Sequence, residues 1–150
     1  MKNFLITFII IFIPVKSFGL IEVDITRGNL NPLPVAVSPL SIDEESRKNF
    51  ENILKKKNIG SEISLIVENN LKVSGLFNPL NKDAFLQEPD IANLKPRFED
   101  WNLIKAQALI TGKVSYVQEK LRVEFRLWDV LAGKEMICLL YTSDAADERN

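Results

Sequence analysis

Side chains that could do acid–base, nucleophilic or metal chemistry are present in this sequence, but histidine is not among them. Histidine is the commonest general base near neutral pH and a principal zinc ligand, so Ser-His-Asp triads, Cys-His pairs and histidine zinc sites are excluded. The six glycines occur singly and form no phosphate-binding loop, and no serine lies in a G-x-S-x-G motif. The sequence therefore predicts no catalytic residues, no metal site and no cofactor.

Charged residues cluster where a catalytic or ion-binding site could form. The carboxylates of Glu99 and Asp100 could act as general acid and base, but they lie at the start of a predicted helix, where negative charge is favoured. The acidic cluster 43–45 and the lysine run 55–57 could bind an ion or a phosphate. Because neither run has aromatic or glycine neighbours, both are predicted to be solvated surface. Glu99 and Asp100 are predicted to cap a helix.

Hydrophobic periodicity predicts the elements that would position these groups. Apolar residues alternate over residues 33–37, which predicts a strand that enters the core. Residues 41–60 are charged and poorly patterned, which predicts loop and helical turns. A helix is predicted from an N-cap at Ser61 to a stop at Ser74 and Gly75. Its apolar face is predicted to contain Ile59, Ile63, Ile66, Val67 and Leu71.

Shorter elements are predicted to follow this helix. Residues 76–86 are predicted to be a short extended segment, in which Pro79 disfavours a central strand. Residues 88–96 are predicted to be a loop, and residues 97–107 a short helix. The side chains predicted to point inward from this helix are Phe98, Trp101 and either Leu103 or Ile104. This spacing predicts that Trp101 is a core residue rather than an anchor for a partner.

The last predicted elements of the chain are two strands and the start of a third. Residues 108–116 begin as a continuous apolar run, and residues 121–130 alternate between apolar and charged side chains. Residues 135–137 begin another strand. Together these elements predict an α/β fold, a two-layer domain with at least two helices packed on one face of a mixed β-sheet. The charged side chains of residues 121–130 predict that the other face is hydrated.

Residues 1–19 have the layout of a cleavable signal peptide. A basic second residue precedes the continuous apolar run Phe4–Val15, and Ser17 and Gly19 place small residues before the cleavage point. The alternative, a membrane anchor, needs about 20 apolar residues, more than this run contains. The sequence therefore predicts cleavage before Leu20 and a mature protein in the periplasm that does not insert into the membrane.

Residues 138–148 differ in character from the chain before them and resemble the translation of a sequencing-library adapter. The alternative is a natural polar tail. We expect the native sequence to end near Ile137, which leaves an incomplete domain at 20–137 and a non-native tail at 138–150. On either interpretation Cys138, the single cysteine, is assigned no redox or nucleophilic role.

The charge balance argues against two classes of partner. The chain has 19 basic and 20 acidic side chains and a formal net charge of −1. Nucleic acids and anionic membrane surfaces attract strongly basic proteins, so neither is predicted as a partner.

Four segments, taken in order, resemble the N-terminal domain of the TolB family, periplasmic proteins of the Tol-Pal system in Gram-negative bacteria. They are residues 25–37 behind the signal peptide, the helix and Phe/Pro-Leu segment 67–85, the tryptophan helix and apolar strand 98–114, and the amphipathic strand and aspartate-bearing turn 121–136. The resemblance implies two helices packed on a mixed sheet. In full-length members a β-propeller follows, and we expect it to be absent from this chain.

The resemblance also implies a function. In this family the mature N-terminus binds the inner-membrane protein TolA, whereas the propeller binds the lipoprotein Pal, so Pal binding is not carried over to this chain. The system supports outer-membrane integrity and invagination in cell division, and it is implicated in bacteriocin import. The residues that correspond to the TolA-binding segment are Leu20, Ile21, Glu22, Val23, Asp24, Ile25, Thr26, Arg27 and Gly28.

The predicted binding segment also has a physical rationale. Its apolar residues 21, 23 and 25 alternate with acidic residues 22 and 24, so an extended segment has an apolar side and a charged side. Such a strand can dock on its own sheet or add to the edge of a partner's sheet, and its release would be a population shift. The simpler interpretation is that it forms the first strand of its own sheet.

Two other functions stay open at the level of sequence. One is an accessory domain of a secreted propeller-type hydrolase, which a downstream G-x-S-x-G region would favour. The other is a small-ligand-binding periplasmic domain, although no polar groups visibly converge on a pocket. Because a cut last strand leaves a sheet edge open, we also expect residues 20–137 to be poorly stable alone.

Overall fold

The computed structural model describes residues 31–55 and 57–144, which form a mixed β-sheet with helices on both faces. The strands are β1 (Leu33–Val37), β2 (Ser41–Ile42), β3 (Phe77–Pro79), β4 (Ala108–Val117), β5 (Lys120–Asp129) and β6 (Lys134–Asp144). The α-helices are α1 (Glu44–Asn49), α2 (Ile59–Val73), α3 (Pro89–Leu94) and α4 (Phe98–Leu103). A π-helical turn, Phe50–Leu54, follows α1, and a 3-10 turn spans Lys82–Ala84. The predicted signal peptide and the predicted binding segment, residues 1–28, lie outside the described residues.

The sheet combines parallel and antiparallel pairing. The strand order is β3-β1-β4-β5-β6, and β2 also pairs with β4. Strand β1 runs parallel to β3 and β4, whereas β5 and β6 extend the sheet in antiparallel fashion. Pro79 lies in the edge strand β3, which confirms that this segment is kept from the sheet centre, because proline cannot donate a ladder hydrogen bond.

One face of the sheet carries α2 and the helical segment that follows α1. Val35 and Ala108 are register partners in β1 and β4, and Val67 of α2 packs against them. Further along the same face of β4, Val114 packs against Phe50 of the π-helical turn. The predicted α/β class, a mixed sheet with at least two helices on one face, is confirmed. The predicted two-layer arrangement is wrong in one respect, because helices cover both faces of the sheet.

The opposite face carries the two short helices α3 and α4. Ala36 follows Val35 in β1 and Leu109 follows Ala108 in β4, so the side chains of Ala36 and Leu109 point to the opposite face of the sheet. Trp128 in β5 is the register partner of Leu109 and lies on the same face as Leu109. They pack against Ala92 of α3 and Trp101 of α4. The tryptophan helix therefore lies on the other side of the sheet from α2, a choice of face that hydrophobic periodicity does not specify.

Helix α2 begins earlier than predicted and buries a narrower face. Its N-cap is Asn58, which makes no side-chain capping bond, and Ser61 lies inside the first turn, so the predicted N-cap is wrong. Gly60 in that turn lies directly against the carbonyl of Leu40, which leaves no room for a side chain at this position. Ile66, predicted to be in the core, is 60% exposed.

The predicted end of α2 is confirmed. Ser74 is the C-cap, and Gly75 adopts a φ of 72°, the left-handed conformation that favours glycine. The Ser74 hydroxyl donates to the carbonyl oxygen of Leu71 at 2.6 Å and accepts from the amide of Leu76 at 3.3 Å. The serine therefore satisfies backbone groups on both sides of the turn.

Residues 88–96, predicted to be a loop, contain helix α3. Pro89 occupies its first turn, a position where the missing amide hydrogen costs nothing. Ala92 of this helix is fully buried against the sheet. So short a helix is stable through packing rather than through its own propensity, which is why the sequence pattern did not reveal it.

The β4–β5 hairpin confirms the two strands predicted there and changes one detail. Their register runs from Ala108 opposite Asp129 to Val117 opposite Lys120. The prediction that the second face of the sheet is hydrated is wrong where α3 and α4 cover it. On that side of β5, Arg126 donates through Nη1 to the carbonyl oxygen of Asn93 in α3 at 3.4 Å.

Strand β6 runs to Asp144, whereas the change in sequence character at Cys138 predicts that it ends there. It pairs with β5 along this length, with a register shift at Leu127 and Trp128. Among the described residues β6 pairs with no second strand, so one of its edges is open.

Candidate functional site

The predicted binding segment, residues 20–28, lies outside the described residues. The described part of the chain closest to it begins at Asn31. Asn31 and Pro32 are exposed. The amide of Leu33 donates to the carbonyl oxygen of Leu76 at 2.9 Å, and the carbonyl oxygen of Pro34 accepts from the amide of Gln107 at 3.0 Å. From Leu33 onward the chain is therefore held on both sides by the sheet.

The acidic cluster is used to start a helix. Asp43 is the N-cap of α1, and its Oδ1 accepts from the amide of Ser46 at 2.8 Å. Its Oδ2 also lies 3.2 Å from Nζ of Lys113 on β4. Burial by itself would raise the pKa of Asp43, but the bonds from Ser46 and the Lys113 ammonium outweigh it and hold the pKa below its usual value.

Glu99 and Asp100 both lie in the first turn of α4, where they complement the helix dipole as predicted. The predicted capping role is wrong, because the N-cap is Arg97 and no side chain makes a capping bond there. Asp100 also has a wider structural role that the sequence did not indicate. Its Oδ2 accepts from Nε2 of Gln87 at 3.0 Å and from Nε of Arg97 at 2.9 Å. Nε2 of Gln87 donates in addition to the carbonyl oxygen of Arg97 at 2.8 Å, so these residues join the two ends of the α3 region.

Trp101 is a core residue, as predicted. Its side chain is 1% exposed, and its ring packs edge-on against Phe85 with centroids 5.0 Å apart. The structure also settles the alternative that the sequence left open, because Ile104 packs against the core cluster whereas Leu103 is 74% exposed. Trp101 is therefore unavailable as an anchor for a partner.

Neither of two cavities on the described surface gathers catalytic groups. A cavity of about 270 Å³ lies between β2 and the N-termini of α2 and α3, and its rim mixes Arg47 and Lys57 with Glu88 and Asp90. A rim of both signs gives no preference for an anion or a cation. Among the described residues no three potential metal-ligating side chains come together, and no helix is long and apolar enough to cross a membrane.

The second cavity is an apolar groove of about 290 Å³ between α2 and the outer strands of the sheet. Val67 forms one side of it, and Ile110, Leu127 and Ile137 contribute to the remainder. This groove is not predictable from the sequence, because the periodicity of α2 indicates that the helix packs on the sheet but not how much of the sheet it covers.

Similarity to known proteins identifies the family of this chain. The family model of the TolB amino-terminal domain matches residues 21–136, which is most of the chain. The chain belongs to the TolB amino-terminal domain family. In this TolB amino-terminal domain the match begins at Ile21. The match therefore includes every residue of the predicted binding segment except Leu20.

A curated relative agrees with this assignment. The chain is 77% identical over 133 residues to the Tol-Pal system protein TolB of Pelagibacter ubique (strain HTCC1062). The alignment covers 89% of this chain and 30% of the relative. The chain thus spans less than a third of the length of that relative.

Solved structures show the same fold at low sequence identity. TolB from Acinetobacter baumannii superposes with a TM-score of 0.55 at 19% identity, over 79% of this chain and 25% of that one. The LpoB C-terminal domain from Salmonella enterica gives a TM-score of 0.50 at 11% identity, over 78% of this chain and 86% of that one. At these identities the likeness concerns the fold alone, and it agrees with the mixed sheet described above.

Proposed function

We propose that this chain is the amino-terminal domain of a non-catalytic periplasmic adaptor of the Tol-Pal system, and that its mature N-terminus binds TolA. The observation that carries the proposal is the 77% identity to a relative named Tol-Pal system protein TolB. In this role the protein supports outer-membrane integrity and invagination in cell division and takes part in bacteriocin import. Pal binding belongs to the propeller that we expect to follow in the intact protein.

Strand addition is the mode of binding that we propose for residues 20–28. Strand β1 already has β3 on one side and β4 on the other, so the residues before it are not needed to complete its pairing. A segment with alternating apolar and acidic residues can then add to the sheet edge of TolA, where main-chain hydrogen bonds supply affinity. Its apolar side chains would fill pockets on the partner, which supplies specificity.

Removal of the signal peptide is part of this proposal, because it creates the free N-terminus of the binding segment. We expect the protein isolated from the periplasm to begin at Leu20. Mass spectrometry of the N-terminal peptide measures this directly. A protein that retains residues 1–19, or one found in the cytoplasm, would contradict the proposed export.

A pull-down of the full-length parent protein with TolA tests the binding segment. Deletion of residues 20–28 should abolish capture, and so should the double substitution Ile21→Asp with Val23→Asp, because both remove the apolar side of the strand. Equal binding by the wild type and the deletion variant would overturn the proposal.

The matched control for this pull-down is Ile66→Ser on α2. Ile66 is 60% exposed and lies outside the proposed binding segment, so its polar replacement should leave TolA capture unchanged. Loss of capture in this control would show that binding depends on the body of the domain.

We also propose that the native domain occupies residues 20–137 and that residues 138–150 are not native. Two observations support this boundary: residues 138–148 resemble the translation of a sequencing-library adapter, and the family match ends at residue 136. Sequencing the gene beyond codon 137 tests it. We expect a different continuation with propeller repeats and then a stop, whereas codons for the same 138–150 would contradict the boundary.

A further inference from the structure

We draw no further inference here: the strongest candidate, the apolar groove that Val67, Ile110 and Leu127 line beside the open edge of β6, carries nothing because nothing in the structure shows what covers it.

Discussion

At the scale of single residues, Trp101 holds the α4 side of the sheet in place. It is fully buried against Phe85 and belongs to the same cluster as Ala36, Leu109 and Trp128. A side chain of this size that packs on all sides leaves a large void when it is truncated.

Trp101→Ala should therefore lower the free energy of unfolding by about 3–5 kcal/mol. Leu103→Ala is the matched control in the same helix, and because Leu103 is 74% exposed, it should change stability by less than about 0.5 kcal/mol. Urea unfolding of both variants measures the difference. Similar losses at the two positions would show that α4 is not packed as described.

Asp43 predicts a pH effect on stability. Its pKa is lowered in the folded protein, so its carboxylate contributes stability above the unfolded pKa near 3.8 and loses that contribution as the pH falls through the lower folded pKa. The effect should stay below about 1 kcal/mol, since Asp43 and Lys113 are 38% and 44% exposed and solvent screens the pair.

The variant Asp43→Asn keeps a good N-cap but has no titrating carboxyl, so its stability should fall less than that of the wild type between pH 5 and pH 3. Urea unfolding at the two pH values measures this difference. Glu45→Gln, an exposed carboxyl of the same cluster, is the control and should behave like the wild type. An unchanged pH dependence in Asp43→Asn would contradict the assignment.

At the scale of elements, two glycines set the beginning and the end of the region around α2. Gly60 has no room for a Cβ because the carbonyl of Leu40 lies against it. Gly75 has open space around it but a positive φ of 72°. The first glycine thus allows close packing of helix on chain, whereas the second allows a backbone conformation.

Gly60→Ala should destabilise the domain by at least about 2 kcal/mol, although Gly→Ala inside a helix is normally stabilising by about 1 kcal/mol, because the new methyl group meets backbone. Gly75→Ala should cost about 1 kcal/mol through its left-handed backbone alone. Thermal unfolding ranks the two variants. A Gly60→Ala protein as stable as the wild type would contradict the close contact with Leu40.

At the scale of the whole molecule, stability depends on how much of the sheet's apolar surface is covered and on whether its edge strands are paired. The groove beside α2 leaves apolar surface of β5 uncovered, and β6 presents an edge without a second strand among the described residues. Both features reduce the apolar area buried on folding and expose unpaired backbone groups.

Residues 20–137 alone also lack the β6 partners of residues 120–126, so that edge of β5 would be unpaired. We therefore expect residues 20–137, produced alone, to unfold without a sharp cooperative thermal transition. Differential scanning calorimetry makes the measurement, with the full-length parent protein as the reference that should show a cooperative transition. A cooperative transition in the isolated piece would contradict this expectation.

Much of the fold could be predicted because strong local patterns agree with the tertiary packing. The alternation in β1 and β5 and the Ser74–Gly75 stop of α2 all appear where the sequence places them. The start of α2 and the existence of α3 could not be predicted, since Asn58 makes no side-chain capping bond and the burial of Ala92 depends on contacts with distant residues. The candidate binding segment was predicted from the family resemblance, and it remains a prediction.

Residue types and local spacing are enough to identify the family, to predict the strands and helices with strong periodicity, and to exclude chemistry that needs histidine. Long-range contacts, in contrast, determine which face of the sheet each helix covers. They also determine that Asp100 accepts hydrogen bonds from Gln87 and Arg97, and that β5 borders an open groove. Successive residues of a strand point to opposite faces of the sheet whatever helix follows, so the strand pattern does not specify the face on which a helix packs. Contacts between residues far apart in the sequence determine that face.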